Sequence, residues 1–120
     1  MTPQQIVTAH VLSVIDEKRI CVRLDKQFVE TISSIVSKAY DHTVVKDTIV
    51  VNISNCHIDL SIDWAELSDL IGMHLNINMV PRNYQYWRTK SAISNGINNI
   101  TNTKFRGVTF NARRITNILI

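Results

Sequence analysis

The chain has 120 residues, 45% of them hydrophobic, and a formal net charge of +3. That length makes one domain, taken as residues 1–120, and the apolar content suffices for a core that withdraws roughly two-thirds of the unfolded surface from water. No apolar stretch approaches the roughly 20 residues of a membrane span, and MTPQQIVTAH carries no basic segment followed by an apolar one. An intracellular protein with no membrane partner is therefore expected, with Cys21 and Cys56 as free thiols and the sequons at Asn52 and Asn99 as chance matches. Seventeen Ile and eleven Asn point to an AT-rich genome, such as that of a virus.

The charge is divided along the chain. All ten carboxylates lie at or before Asp69, so residues 1–69 are net −4, whereas Arg82, Arg88, Lys90, Lys104, Arg106, Arg113 and Arg114 follow with no acid among them. Uncompensated cations gain free energy by releasing counterions from a phosphate backbone, so the asymmetry points to a polyanionic partner, nucleic acid first. The competing reading is that folding lays acidic strands beside basic ones and cancels the excess.

In chain order, residues 6–15 (IVTAHVLSVI) are apolar on both parities, which predicts a long central strand with both faces at least partly covered. Asp16-Glu17-Lys18 is the turn into residues 19–24, where Ile20, Val22 and Leu24 alternate with Arg19, Cys21 and Arg23. A hairpin with one arginine-bearing face follows. Phe28, Ile32, Ile35, Val36, Ala39 and Tyr40 fall on one helical stripe, predicting a core-packing helix over 26–40 with Asp25 as N-cap. Ile49, Val51 and Ile53, then Ile58, Leu60 and Ile62, alternate around Ser54-Asn55-Cys56, which predicts a second hairpin with an acidic outward face.

A short helix over 64–71, capped by Asp63 and ending at Gly72, is expected next. Then Ile71, Met73, Leu75, Ile77 and Met79 form one face of a strand and His74, Asn76 and Asn78 the other. Pro81 cannot donate to a ladder, so the strand should end, bulge or lie at an edge there. If the parity survives, Arg82, Tyr84, Tyr86 and Arg88 continue the polar face. Residues 89–106 are rich in Ser, Thr and Asn, with Ser94-Asn95-Gly96 as a turn signal, and predict a long mobile loop bearing Lys90, Lys104 and Arg106. Val108, Phe110 and Ala112 alternate before the phase slips to Ile115, Ile118 and Ile120, which predicts a bulge near Arg113-Arg114.

Catalytic and metal signatures are mostly lacking. None of the phosphate-cradling, nucleophile-elbow or zinc-binding motifs occurs, and only three glycines are present. The four histidines are scattered in sequence, and neighbours such as Cys56 and His57 on a strand point to opposite faces, so no metal and no cofactor are expected. Asp59 and Asp63 share a parity and leave a metal-dependent nuclease as a third-ranked reading. The stronger signal is Arg82-Asn83-Tyr84-Gln85-Tyr86-Trp87-Arg88, in which cations meet phosphates and tyrosine rings offer faces to unpaired bases. Duplex buries those base faces, so single-stranded DNA or RNA is the better match, unless Tyr84 and Tyr86 are a half-buried strand end.

The order of elements, with a helix just before strand 72–80, the aromatic and basic run after Pro81 and the closing segment Gly107-Val-Thr-Phe-Asn-Ala-Arg-Arg-Ile115, resembles the OB-fold single-stranded-DNA-binding proteins over most of the chain. The resemblance implies a mainly β fold, a five- to six-stranded OB-like barrel with one or two helices, and a non-catalytic protein that binds single strands across its sheet face. It implies ligand contacts at Arg19, Arg23, His74, Asn76, Asn78, Arg82, Tyr84 and Tyr86, with Lys90, Lys104 and Arg106 from the loop, while the flanking Arg88, Arg113 and Arg114 complete the cationic set. The helix at 26–40 departs from the pattern, since it stands between the second and third strands as an insertion or as the mark of another topology. An OB-like assembly module without nucleic-acid binding is the alternative, with the 26–40 helix or an edge strand as the surface for a partner or a second copy.

Overall fold

The computed structural model describes residues 4–39, 46–94 and 96–118, with the backbone alone for residues 38–39, 85–94 and 97–106. Among the described residues there are six strands: β1 (Gln5–Asp16), β2 (Arg19–Leu24), β3 (Thr48–Asn52), β4 (His57–Asp59), β5 (His74–Ser94) and β6 (Ile97–Asn117). The helix α1 (Lys26–Ala39) separates β2 from β3, and a 3-10 turn at Leu67–Leu70 precedes β5. Sheet order is β3-β2-β1-β5-β6, and β3 also pairs with β6 through Val51↔Phe110 and Asn52↔Asn111. That pairing closes a five-stranded OB-like barrel, to which β4 adds as an extra strand.

Closure explains which residues are interior. Val7, Ala9 and Val11 of β1, Ile20, Val22 and Leu24 of β2, Ile49 and Val51 of β3, Leu75, Ile77 and Met79 of β5 and Phe110, Ala112 and Ile115 of β6 are buried. These are the inward parities of strands wrapped around one core. β1 is not covered on both faces as its composition suggested: Ile6 is 60% exposed, and Leu12 and Ile15 also face solvent. In a barrel of this size only the interior is filled, so the outward parity of β1 is left to water whatever residues occupy it.

The stripe of α1 behaves as its spacing predicts. Ile32 and Val36 are buried and Phe28 and Ile35 half-buried against the core; Tyr40 lies outside the described residues. The strands close in OB-like order with α1 standing between β2 and β3, so the helix does not alter the strand order. Asp25 differs from expectation. Its carbonyl accepts the Phe28 N–H at 2.9 Å, but its carboxylate turns away from the helix to Thr8 and His74.

The hairpin expected over residues 49–62 does not form. β3 and β4 both run parallel to β6 along the same edge, β3 at residues 110–111 and β4 at 114–116. Between them Asn52 Oδ1 accepts from Ser54 N and Ser54 Oγ, at 3.0 and 2.7 Å, and Cys56 N–H bonds to Ile53 O at 3.1 Å. The chain therefore kinks outward and continues in the same direction, where turn residues alone suggested a reversal. The helix expected over 64–71 shrinks to the 3-10 turn. There the Asp69 carboxylate accepts the N–H groups of Ala65 and Glu66, a local closure that leaves too few residues for a helical nucleus. Leu70 is still fully buried, and Gly72 takes φ 87° as the end-of-turn reading required.

The largest difference is at residues 89–94 and 97–106, which are strand and not loop. β5 and β6 pair without interruption from Met79↔Ala112 to Ser94↔Ile97, which leaves two residues of chain between the strands. A two-residue Asn-Gly connection is the strongest short hairpin signal, and Gly96 has φ 76°. Polar Asn and Ser suppressed the strand reading, but strand preference depends on pairing context more than on residue type. β1 stops pairing with β5 at Met79 and β3 pairs with β6 only to Phe110. Beyond Pro81↔Phe110 the ribbon thus leaves the barrel as a two-stranded arm of roughly 40 Å at the rise of an antiparallel strand. The arm accounts for overall extents of 65 × 29 × 25 Å. Pro81 is tolerated because, among the described residues, no strand but β6 flanks it there. The bulge expected in β6 is present, with Asn78↔Arg114 followed by Met79↔Ala112, so that Arg113 is the extra residue.

Candidate nucleic-acid interface

Pro81 does not disturb the parity of β5. Leu75, Ile77, Met79 and Pro81 face inward, while Arg82 and Tyr84 are exposed on the side that carries His74, Asn76 and Asn78. Register then gives each a neighbour: His10 beside His74, Thr8 and Thr116 beside Asn76, Arg114 beside Asn78, Thr109 beside Arg82 and Gly107 beside Tyr84. His74 and Arg82, eight residues apart on one strand, are separated by roughly 26 Å, so the residues expected in one face form two groups.

The first group lies where the arm leaves the barrel. Arg82 and Arg113 line a groove with Asn52, Ser54, Asn55 and Asn111, enclosing about 220 Å³. That is below the roughly 300–1,000 Å³ of a small-molecule pocket, a size suited to one unit of a polymer. The bulge supplies its geometry, because the extra residue throws Arg113 out of the ladder toward the Asn52-Ser54 kink. Arg19 pairs opposite Asn52 at the rim, but its guanidinium is held by Asp16 at 2.7 Å. The Arg19 hydrogen bond and the Lys18 N–H keep the Asp16 carboxyl below the ordinary carboxylate range.

Tyr84 completes this group. Its ring lies across Gly107, so that a Cβ at residue 107 would fall inside the ring, and the residue remains 44% exposed. The ring thus covers a strand glycine, a known way to fill the gap such a residue leaves, on the side of β5 that also carries Arg82. Sequence reasoning missed Gly107, although a lone glycine in an alternating strand signals close approach of another group.

The second group surrounds Asp25. Arg23 pairs opposite His10, and His10 opposite His74. The two imidazoles are stacked, with centroids 4.1 Å apart and planes within 1°. Asp25 Oδ2 stands 2.6 Å from His74 Nε2, and Oδ1 stands 3.7 Å from His10 Nδ1. Burial works against the charged form of Asp25, but hydrogen bonds from Thr8 and His74 and the charges of both histidines outweigh it and hold the carboxyl low. Two of the histidines scattered in sequence, His10 and His74, are therefore brought together in space. No sequence signal marks this pair, because it depends on the β1–β5 register.

Other expected residues are engaged elsewhere. Arg114 is paired with Asp59 at 3.0 Å, which cancels part of the C-terminal cationic excess and occupies one of the two carboxylates of the nuclease reading. Asn78 Nδ2 donates to Gln4 at 3.1 Å. Asn76 borders a separate cavity with Asp59, Ser61, Thr116 and Asn117. Arg23, Arg82 and Arg113 make no ion pair among the described residues. Tyr86, Arg88 and Lys90 lie in the arm opposite Phe105, Thr103 and Thr101, and Arg106 and Lys104 opposite Gln85 and Trp87; their side chains are outside the described residues. No protein-family model, curated protein or solved structure matches the chain.

Proposed function

We propose that the chain binds single-stranded nucleic acid, DNA in the first instance, at the base of its β-ribbon arm and without catalysis. The observation that carries this reading is the Tyr84 ring seated on Gly107 two residues along β5 from Arg82, which lines one groove with Arg113. A base stacked on Tyr84 would place its phosphate near Arg82, with Arg113 and the amides of Asn52, Asn55 and Asn111 in the adjoining groove for the next unit of the strand. Base stacking on an aromatic side chain supplies roughly 1–3 kcal/mol and works on any base, whereas duplex hides the faces it needs. The arm carries Arg88 and Lys90 at the parity of Tyr84 and Lys104 and Arg106 at the opposite parity, so cations stand on both faces of the ribbon away from the barrel.

Titration of fluorescent oligo(dT), oligo(U) and duplex DNA at two salt concentrations tests the proposal. Tighter binding of single strands, weakening steeply with salt, is the expected result; equal or tighter duplex binding at low salt refutes it. A protein-interaction module is the second reading, favoured by Leu12, Ile15 and Val50 exposed on the outer face of β1 and β3. Partner binding that resists salt, together with no affinity for oligonucleotides, would establish that reading instead.

A further inference from the structure

Independently of nucleic-acid binding, we propose that His10, His74 and Asp25 bind one divalent transition-metal ion of the zinc class on the outer surface of the barrel, where β1, β5 and the start of α1 meet. One donor atom from each residue falls within a 4.8 Å cluster. In a tetrahedral site with bonds of 2.0–2.1 Å, neighbouring ligand atoms stand about 3.3 Å apart. Here one carboxylate oxygen is 2.6 Å from His74 Nε2 and the other 3.7 Å from His10 Nδ1, and the imidazoles are stacked with planes within 1°, so the two rings must turn out of the stack for both nitrogens to meet one ion. The ion would take the place of the bridging proton between His74 and Asp25.

The donors suit such an ion. Two imidazoles and one carboxylate favour zinc and its neighbours over magnesium or calcium, which seek oxygen ligands alone. The side chains of His10, Asp25 and His74 keep 37%, 19% and 41% of their surface, leaving an open position for water. Three protein ligands with one open position is the coordination of a reactive zinc site and not of a closed structural one.

The surroundings fix the carboxylate and the two strands in advance. Thr8 Oγ1 donates to Asp25 Oδ2, and the Asp25 N–H bonds to the Thr8 carbonyl at 3.0 Å. Asp25 is thereby locked to β1 two residues from His10. Val11 N–H bonds to Met73 O at 3.0 Å and Gly72 N–H to Val11 O at 2.7 Å, which ties the strand after His10 to the segment before His74. A carboxylate oriented by a hydroxyl is the kind of outer support that metal ligands need. Arg23, opposite His10, is a cation placed against the site by strand register, and it opposes binding by charge.

The test is calorimetric titration of Zn2+ into the full chain at neutral pH under reducing conditions, with His10→Gln, His74→Gln, Asp25→Asn and the control His57→Gln, each checked for fold by circular dichroism. One ion per chain is expected, with affinity at least tenfold weaker in each of the first three variants and unchanged in His57→Gln. Substoichiometric binding, affinity indifferent to the three substitutions, or loss in His57→Gln overturns the proposal. Co2+ bound to the unmodified chain gives a readout independent of the variants' stability. Visible d–d bands without a thiolate charge-transfer band support the site, and a thiolate band, which would assign the ion to Cys56 or Cys21, refutes it.

Discussion

Tyr84 lies across Gly107, its ring filling the space that a side chain on the opposite strand would take. The two residues should act as a unit. Gly107→Ala introduces a methyl where the ring now sits and displaces it, so it should weaken oligo(dT) binding by about 1–3 kcal/mol, as Tyr84→Ala does by removing the ring. The double variant should be little worse than either single one, a coupling that a double-mutant cycle measures. Intact binding in Tyr84→Ala, with a core-sized loss of stability, would show that the ring is structural only.

Arg82 and Arg113 share one groove and make no ion pair among the described residues. Replacing both by Gln should reduce the slope of log K against log salt by about 1.4, since each single-strand phosphate that is no longer neutralised removes roughly 0.7. Arg114, held by Asp59, should contribute less; an Arg114→Gln effect equal to that of Arg82→Gln would contradict the grouping.

Ile32 of α1 is fully buried. Ile32→Ala should therefore cost about 2–5 kcal/mol in chemical denaturation, because α1 packs on the barrel core. A cost below about 1 kcal/mol would mean that the helix face is free for a partner.

The Asp25 carboxyl is held below its ordinary value of 3.8, with burial opposing the shift and Thr8 and His74 outweighing it. A carboxyl depressed in the folded state contributes stability that is present above its unfolded value and is lost as pH falls through its folded value. Melting temperature should drop steeply below about pH 4, and more gently in Asp25→Asn. Asp69, lowered by the N–H groups of Glu66 and Ala65, works in the same direction, so the substitution should flatten the acid limb without abolishing it.

Burial pushes the Cys56 thiol up to about 11, and the thiolate is the reactive form. Cys56 should resist a thiol-reactive disulfide reagent at about pH 8 in the native chain and react promptly in denaturant. Residue-resolved mass spectrometry checks this, and prompt native labelling of Cys56 would contradict it.

Alternation over residues 19–24, the stripe of α1, the two faces of residues 73–79 and the phase slip at Arg113 were legible in the sequence because each depends on local period alone. The acid-free C-terminal half was equally plain. Chain direction at a turn was not. Ser54-Asn55 was compatible with reversal or with a kink, and only the pairing of β3 and β4 along one edge of β6 decided it. Residues 89–94 and 97–106 were misleading for a related reason: Asn and Ser disfavour strand in isolation, yet pairing of the two segments with each other satisfies their backbone groups.

The sequence by itself determined a mainly β chain with a packed helix and a cationic C-terminal half, since hydrophobic period and charge are properties of neighbouring residues; the barrel was implied only by the resemblance in element order. Tertiary structure decided which cations stay unpaired, by setting Asp59 against Arg114 and Asp16 against Arg19. It also decided that Tyr84 rests on Gly107 and that His10 and His74 meet over Asp25. The Tyr84–Gly107 and His10–His74 relationships span 23 and 64 residues of chain, and they exist only through strand register. Register is fixed by how all the inward side chains fill one closed core, a global condition that no local pattern contains.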